Sequence, residues 1–357
     1  MREKHNQLQE LGWNRAWEEQ RESKGLPGYP ARVIAEFQGL YRVMTAQATL
    51  LARVSGKMMH EATGRGDFPA VGDWVILDRE TEEQGEGVIH AVLERKSAFV
   101  RKVAGAQTEE QIVAANADVV MVCMALDDDF NRNRLERYML LAWNSGAMPL
   151  VVLTKADQAG ELAEERISEA ERAAVGAEVI AVSSVTGEGL HAVRERIGTG
   201  VTAVFLGSSG IGKSTLINRL LGEEKQDTQG VRKGDGKGRH TTTHRELFLV
   251  PSGGIVIDTP GMRELQLLEG EGLKEAFADI AELADGCRFG DCTHEAEPGC
   301  AVKQAIREGT LQESRLEHYR KLEREAAYAE RKVSERAARE YKTQMKQLHK
   351  QMRPKHR

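Results

Sequence analysis

Gly207-Ser208-Ser209-Gly210-Ile211-Gly212-Lys213-Ser214 is entered from the apolar run Val201-Thr-Ala-Val-Phe-Leu206. Thr215-Leu-Ile-Asn-Arg-Leu-Leu221 follows, with apolar residues at helical spacing. Strand, glycine-rich turn and helix with the spacing G-x-x-x-x-G-K-S form a phosphate-binding loop. The glycines let backbone N–H groups point at an oxyanion, and the helix N-terminus adds the positive end of its dipole. Lys213 is expected to reach the terminal phosphates of a nucleoside triphosphate. The hydroxyl of Ser214, followed by Thr215, is expected on a magnesium ion.

Upstream of this loop, strand and helix patterns alternate. Asp118–Ala125 reads as a buried strand, with Cys123 a core residue, and Asn131–Ser145 as an amphipathic helix. Pro149–Leu153 is a strand running into Thr154-Lys155-Ala156-Asp157, and Glu178–Val182 is a strand ending in Ser183-Ser184. Helices are expected over Gly160–Val175 and Leu190–Ile197. Downstream, Arg245–Val250 and Gly254–Ile257 read as a hairpin that delivers Asp258-Thr-Pro-Gly261. The pattern is that of a doubly wound α/β domain with its ligand loops at the carboxyl ends of the strands.

Each loop has a task that follows from its chemistry. The Asp157 carboxylate can accept both the N1–H and the exocyclic N–H of guanine, whereas adenine presents an acceptor there. Sites built on such bonds discriminate by up to ~10⁴. The stem of Lys155 would lie along the base, Thr154 stands where Asn is usual, and Ser183 and Ser184 would back the base. Asp258, at a strand end, is expected to organise magnesium. Gly261 offers its N–H to the γ-phosphate without a side chain in the way. One of Thr241, Thr242 and Thr243 is expected on magnesium in the triphosphate state, and Thr242 is the one we assign. His240 either positions the attacking water or structures its loop. Met262 follows Asp-Thr-Pro-Gly where many GTPases carry glutamine, and a thioether cannot orient water. A slow intrinsic rate raised by a partner, by ~10³–10⁵, is therefore expected.

The loop order is unusual. The base loop and its backing loop precede the phosphate loop, which makes the domain circularly permuted. Before it, Ala31–Phe37, Tyr41–Met44, Thr49–Val54, Asp73–Leu77 and Gly87–Val92 read as five short strands of a small closed sheet, OB-type or SH3-like. Phe68, Trp74 and Phe99, near Arg95, Lys96, Arg101 and Lys102, either stack on unpaired bases or fill the barrel. Residues 1–30 read as a polar helical extension whose Trp13 and Trp17 are packing residues.

Cys287, Cys292, His294 and Cys300 have the spacing C-x₄-C-x-H-x₅-C, which suits a closed structural zinc site. Beyond Glu340 the chain has no acidic residue and six basic ones, Lys342, Lys346, Lys350, Arg353, Lys355 and Arg357. That run is either a solvated tail or a contact for an RNA backbone. With a net charge of −5, RNA contacts must be local. No apolar run approaches the ~20 residues that span a bilayer. The first residues lack the apolar core of a signal peptide. A cytoplasmic protein with no membrane contact is expected, and four cysteines suit a reducing compartment.

The permuted order, Gly238-Arg-His-Thr-Thr-Thr243, Asp258-Thr-Pro-Gly-Met-Arg-Glu-Leu265, the small barrel and the cysteine cluster resemble the ribosome small-subunit-dependent GTPase family (RsgA, also called YjeQ). The resemblance covers about residues 31–320. It implies an OB-fold barrel (31–106), a circularly permuted P-loop GTPase domain (107–270) and a zinc-binding domain with a basic helical tail (271–357). It further implies a monomer that hydrolyses GTP to GDP with Mg2+, binds rRNA and acts in late maturation of the small ribosomal subunit, which stimulates hydrolysis. The N-terminal extension and the lead-in Lys233-Gly-Asp-Gly-Lys-Gly238 depart from the family pattern. Two rival readings are a GTP-stabilised RNA-binding module without turnover and a membrane-recruited signalling GTPase. The absence of a lipidation motif weighs against the second.

Overall fold

The computed structural model describes residues 7–37, 39–102, 110–222, 245–258, 273–295 and 297–324. The chain divides into two compact units, Met1–Gln266 and Leu267–Arg357. Within the described residues of the first unit, a barrel and a doubly wound sheet share one hydrogen-bonded network of eleven strands.

The barrel is built from β1 (Tyr29–Phe37), β2 (Leu40–Met44), β3 (Thr49–Val54), β4 (Trp74–Leu77) and β5 (Gly87–Val92), with helix α2 (Gly56–Glu61) after β3; α1 (Arg15–Ser23) precedes them. The strand order is 1-2-3-5-4, β1 pairs with β4 to close it, and β3 runs parallel to β5. These are the order and closure of an OB fold rather than an SH3-like barrel. Ala31, Val33, Tyr41, Val43, Leu50, Ala52, Val75, Leu77 and Ile89 fill its interior. Alternation along β4 turns Trp74 and Ile76 outward, yet both are buried. The N-terminal segment covers them with Leu8, Leu11, Trp13 and Trp17. Trp13 meets Trp74 edge-on at 4.8 Å, the packing role expected of that residue.

Trp74 is therefore fully buried and Phe99 is 2% exposed, so the structure corrects the stacking alternative for both. Arg95 is likewise occupied, bonded to Asp73 at 2.7 Å and to the carbonyls of Gly66 and Phe68.

A ribbon of β6 (Ala98–Lys102) and β7 (Glu110–Ala115) leads to the second sheet. Its strands and helices are β8 (Val119–Ala125), α3 (Arg132–Asn144), β9 (Met148–Thr154), α4 (Ala163–Ala173), β10 (Glu178–Ala181), α5 (Leu190–Arg196), β11 (Thr202–Leu206), α6 (Lys213–Leu221), β12 (Glu246–Leu249) and β13 (Ile255–Asp258). The order is β10-β9-β8-β11-β13-β12, parallel except for β12. The apolar strands Val119–Ala125 and Thr202–Leu206 are buried on both faces, as a covered parallel sheet requires. From β8 the chain winds outward to β10, then returns to place β11 on the other side of β8. The crevice between β8 and β11 is thus a topological switch point, where such sheets hold ligands.

The sequence suggested two separate sheets, but β12 also pairs with β1, Ala35 opposite Glu246. Near the join lies Arg32, fully buried. Its guanidinium donates to Leu11 O, to Gly72 O at 2.9 Å, to Asn116 O at 3.2 Å and to Thr202 Oγ1 at 3.0 Å, and it lies over Trp74. Burial lowers its pKa to about 10, with Asp118 and Asp73 opposing, so it stays charged at neutral pH.

The second unit holds α7 (Leu273–Ala276), α8 (Ala278–Ala284), α9 (Ala301–Arg307) and a further helical stretch over 313–324. Arg315 braces it, bonded to Asp279 at 2.5 Å with its guanidinium over Phe277.

Candidate nucleotide site and metal centre

The phosphate loop leaves β11 hard against β8. A Cβ on Gly207 would sit 2.6 Å from Cys123 O, so only glycine lets the loop pass there. Ile211 is buried and anchors the loop in the core, while Ser208, Ser209 and Gly210 stay accessible. Gly212, with φ at +94°, turns the chain into α6, whose first residues are Lys213, Ser214 and Thr215. The Lys213 ammonium curls back to donate to Gly207 O at 2.7 Å and Ser208 O at 2.5 Å, which keeps a positive charge within the loop. Tyr138 on α3 shares a 3.0 Å hydrogen bond with the Ser208 hydroxyl.

The base loop starts where β9 ends. Thr154 is buried, and its hydroxyl proton goes to Ile211 O at 2.5 Å. Threonine in place of asparagine thus ties the end of β9 to the phosphate loop directly. Lys155 takes the left-handed conformation, φ +58°, and Asp157 follows on an exposed turn. The Ser183 oxygen receives the N–H groups of Val185 at 3.2 Å and Thr186 at 3.1 Å. Its proton is left for Asp157 Oδ1, 2.6 Å away. One carboxylate oxygen is therefore pinned while the side chain as a whole remains accessible. Ser184 lies half-buried beside this pair.

Asp258 ends β13, which runs parallel to β11 with Ile257 opposite Val204, so it emerges beside the strand that feeds the phosphate loop. Ser214 and Asp258 are an oxygen donor set of the kind magnesium takes. His240, Thr241, Thr242, Thr243, Gly261 and Met262 lie outside the described residues, as do the lead-in at 233–238 and the basic residues beyond 340.

Two residues at the site were not singled out by sequence reasoning. Tyr138 is one. Asp127 is the other, 2.7 Å from Lys155 Nζ. Its position directly after a buried strand was the available signal, since carboxyl ends of strands carry the ligand loops.

In the second unit, ligand atoms of Cys287, Cys292, His294 and Cys300 lie within 4.8 Å of one another. Cys287 Sγ is 3.9 Å from Cys300 Sγ and 3.6 Å from His294 Nδ1, and Cys300 Sγ is 3.4 Å from that nitrogen. Ordinary Zn–S and Zn–N bonds in a tetrahedron put sulfurs about 3.8 Å apart and sulfur and nitrogen about 3.6 Å apart, so the residues fit zinc. Burial opposes ionisation of Cys287, but the N–H groups of Val302 and Ala301 at the start of α9 outweigh it and hold its thiol below the usual range. Burial, aided by Arg320, lowers the pKa of His294 and keeps the imidazole in its neutral, ligating form.

The RsgA GTPase family pattern matches residues 92–268. The small ribosomal subunit biogenesis GTPase RsgA 2 of Lactiplantibacillus plantarum is 47% identical over 297 residues, 83% of each chain. RsgA 1 of Listeria innocua is 41% identical over 347 residues, 97% of each chain. The crystal structure of YjeQ from Thermotoga maritima superposes with a TM-score of 0.62 at 27% identity, covering 82% of this chain and 96% of that one. YloQ, described as a circularly permuted GTPase, shares the fold with the same TM-score at 24% identity. Likeness of this extent reaches far beyond the phosphate loop that any nucleotide-binding protein could share, and it makes the chain a member of the RsgA GTPase family.

Proposed function

We propose that the protein hydrolyses GTP to GDP and uses the nucleotide state to time its binding and release on the maturing small ribosomal subunit. The observation that carries this reading is the linkage of base loop and phosphate loop. Thr154 bonds to Ile211 across two ligand loops of the sheet, while Ser183 presents Asp157, three residues beyond Thr154. Guanine then engages Asp157, with Ser183 and Ser184 behind it and Lys155 along its face. The phosphates engage the N–H groups of residues 207–213, the Lys213 ammonium and the N-terminus of α6.

Ser214, Asp258 and Thr242 would hold magnesium, which neutralises charge on the phosphates. His240 and Gly261 would serve the γ-phosphate end, although residues 240–242 and 261 are among those the structure does not describe. Hydrolysis is slow in the isolated protein and is stimulated by the small subunit, because Met262 cannot orient water. Zinc at Cys287, Cys292, His294 and Cys300 is structural, with no ligand position left open. We further assign residues 31–106 to the barrel domain, 107–270 to the permuted GTPase domain and 271–357 to the zinc domain with its tail. The protein acts as a cytoplasmic monomer, with rRNA contacts from the barrel, the zinc domain and the basic tail. Among the described residues no helix is long and apolar enough to cross a membrane.

The test is GTP turnover with and without purified small ribosomal subunits, alongside co-sedimentation in GDP and in a non-hydrolysable GTP analogue. Stimulated turnover and analogue-dependent co-sedimentation are expected. Equal co-sedimentation in both nucleotides, with no stimulation, overturns the timing role and leaves a GTP-stabilised RNA-binding module.

A further inference from the structure

The turn Leu126-Asp127-Asp128-Asp129 closes β8 at the switch point of the sheet, and the site as described gives it no task. Three cations from three elements brace it. Asp127 Oδ2 lies 2.7 Å from Lys155 Nζ in the base loop, Asp128 Oδ1 lies 3.0 Å from Arg166 on α4, and Asp129 Oδ2 lies 2.9 Å from Arg134 on α3. The main chain is fixed as well. Leu126 N–H donates to Thr154 O at 2.8 Å, Arg166 donates to Leu126 O at 2.7 Å, and Asp129 N–H donates to Asp127 Oδ1 at 2.9 Å.

The three pairs are not equivalent. The Asp128 side chain is fully exposed and that of Asp129 is 52% exposed, so water and salt screen both. In the third pair both members are sheltered, 24% exposed for Asp127 and 27% for Lys155. Burial opposes ionisation of Asp127, and the Lys155 ammonium together with Asp129 N–H and Arg166 more than offsets it. The carboxylate is thus charged and fixed from one side before it meets Lys155 from the other. Lys155 belongs to the end of β9, yet its ammonium is held at the end of the neighbouring strand β8, so its methylene stem crosses from base loop to switch point.

We propose that Asp127 is a positioning residue for the nucleobase. By anchoring the Lys155 ammonium it keeps the lysine stem stretched as a wall against which the purine packs. This rests on the reading of Asp157 as the guanine acceptor. A free lysine stem would have to be ordered on each binding event, and lysine carries among the largest side-chain entropies. Asp127 removes that cost in advance. A wall of methylenes reads no hydrogen-bonding edge and no phosphate. Its loss therefore weakens guanine and hypoxanthine nucleotides, and di- and triphosphates, by one common factor.

The experiment compares full-length wild type, Asp127→Asn, Lys155→Met and the double variant by displacement of a fluorescent GDP with GDP, GTP, IDP and ADP. Methionine keeps an unbranched apolar stem without the ammonium. Asp127→Asn is expected to weaken GDP, GTP and IDP alike by about fivefold, the upper range for a half-sheltered ion pair. KM for GTP rises by about the same factor, while kcat at saturation moves less than about twofold. In the Lys155→Met background Asp127→Asn adds nothing, because the anchored group is gone. Asp127→Ser is read in the same way should Asp127→Asn not fold. Wild-type affinity in the folded charge-removed variant, additive losses in the double variant, or a loss confined to triphosphates would each overturn the role of Asp127. A wild-type protein that holds ADP as tightly as GDP overturns instead the guanine reading beneath it.

Discussion

Replacing Ser183 by alanine removes the group that aims Asp157. The hydroxyl oxygen is fully buried and already accepts two backbone N–H groups, so its proton has one destination, the carboxylate oxygen 2.6 Å away. A hydrogen bond to a charged acceptor contributes about 1.5–3 kcal/mol. Asp157 is exposed and recovers water when the bond is lost, so the lower end applies. About 1.5 kcal/mol corresponds to about a tenfold weaker affinity for GDP. ADP makes no use of the carboxylate, so its affinity stays where it was and the GDP-to-ADP ratio falls by the same tenfold. The two N–H groups stranded in the variant belong to exposed residues, Val185 and Thr186, which limits the stability loss to about 1 kcal/mol. Fluorescent-GDP titration with competing ADP, checked by thermal unfolding, measures both. A folded Ser183→Ala protein with the wild-type GDP-to-ADP ratio would refute the reasoning that this serine presents the base acceptor.

Asp157→Asn turns one of the two acceptors into a donor, so xanthosine diphosphate, which carries an oxygen at position 2, should outcompete GDP in the same titration. A shift of about 2–3 kcal/mol against guanine is expected for an unpaired polar edge. Arg32→Met strands the carbonyls of Leu11 and Asn116 and the hydroxyl of Thr202, while Gly72 O keeps the Asn116 amide and Asp73 and Asp118 keep Arg95 and Lys96. With three buried acceptors stranded, a loss of about 3–5 kcal/mol is expected, read as a lower midpoint in denaturant. Removing zinc with a strong chelator, or mutating Cys292→Ser, should abolish the helical signal of the second unit in isolated circular dichroism difference spectra. GDP affinity of the first unit should be unchanged, and metal analysis should return one zinc per chain in the untreated protein.

What the sequence disclosed was whatever is written within one short stretch. Gly207–Ser214, Thr154–Asp157 and Cys287–Cys300 each carry their chemistry at fixed spacing, and the apolar runs of β8, β9 and β11 announce a covered parallel sheet. The five barrel strands were legible for the same reason. What stayed hidden joins residues far apart in the chain. Arg32 reaches Thr202, Asp127 reaches Lys155 and Tyr138 reaches Ser208, and no periodicity encodes those pairs. Trp74 shows why the barrel aromatics could not be read. Its alternation in β4 correctly faces it outward, as a base-stacking residue would be, but a segment some sixty residues earlier covers it. The usual asparagine was likewise missing at Thr154, and only the fold shows the shorter side chain reaching the phosphate loop.

The join between the two sheets follows from the geometry of β1. A doubly wound sheet that ends in the antiparallel strand β12 would expose a row of unpaired backbone groups, a site for unwanted pairing. β1 divides one edge between two partners. Its first residues, Tyr29–Arg32, pair with β4 and close the barrel, while Ala35 pairs with Glu246 and covers β12. The irregularity between Val33 and Ala35 lies where the strand changes partner, as a bulge that re-aims a strand should. The two ends of this strand are held unequally. At Arg32 a buried guanidinium with four acceptors fixes it, whereas beyond Ala35 it relies on the pairs Arg245–Glu36 at 3.6 Å and Arg42–Glu246 at 3.5 Å. Arg42 and Glu246 are each about two-fifths exposed, so that pair contributes at most about 1 kcal/mol. The barrel is therefore fixed to the nucleotide domain at Arg32 and, along β12, by the sheltered Arg245–Glu36 pair and the weaker, exposed Arg42–Glu246 pair.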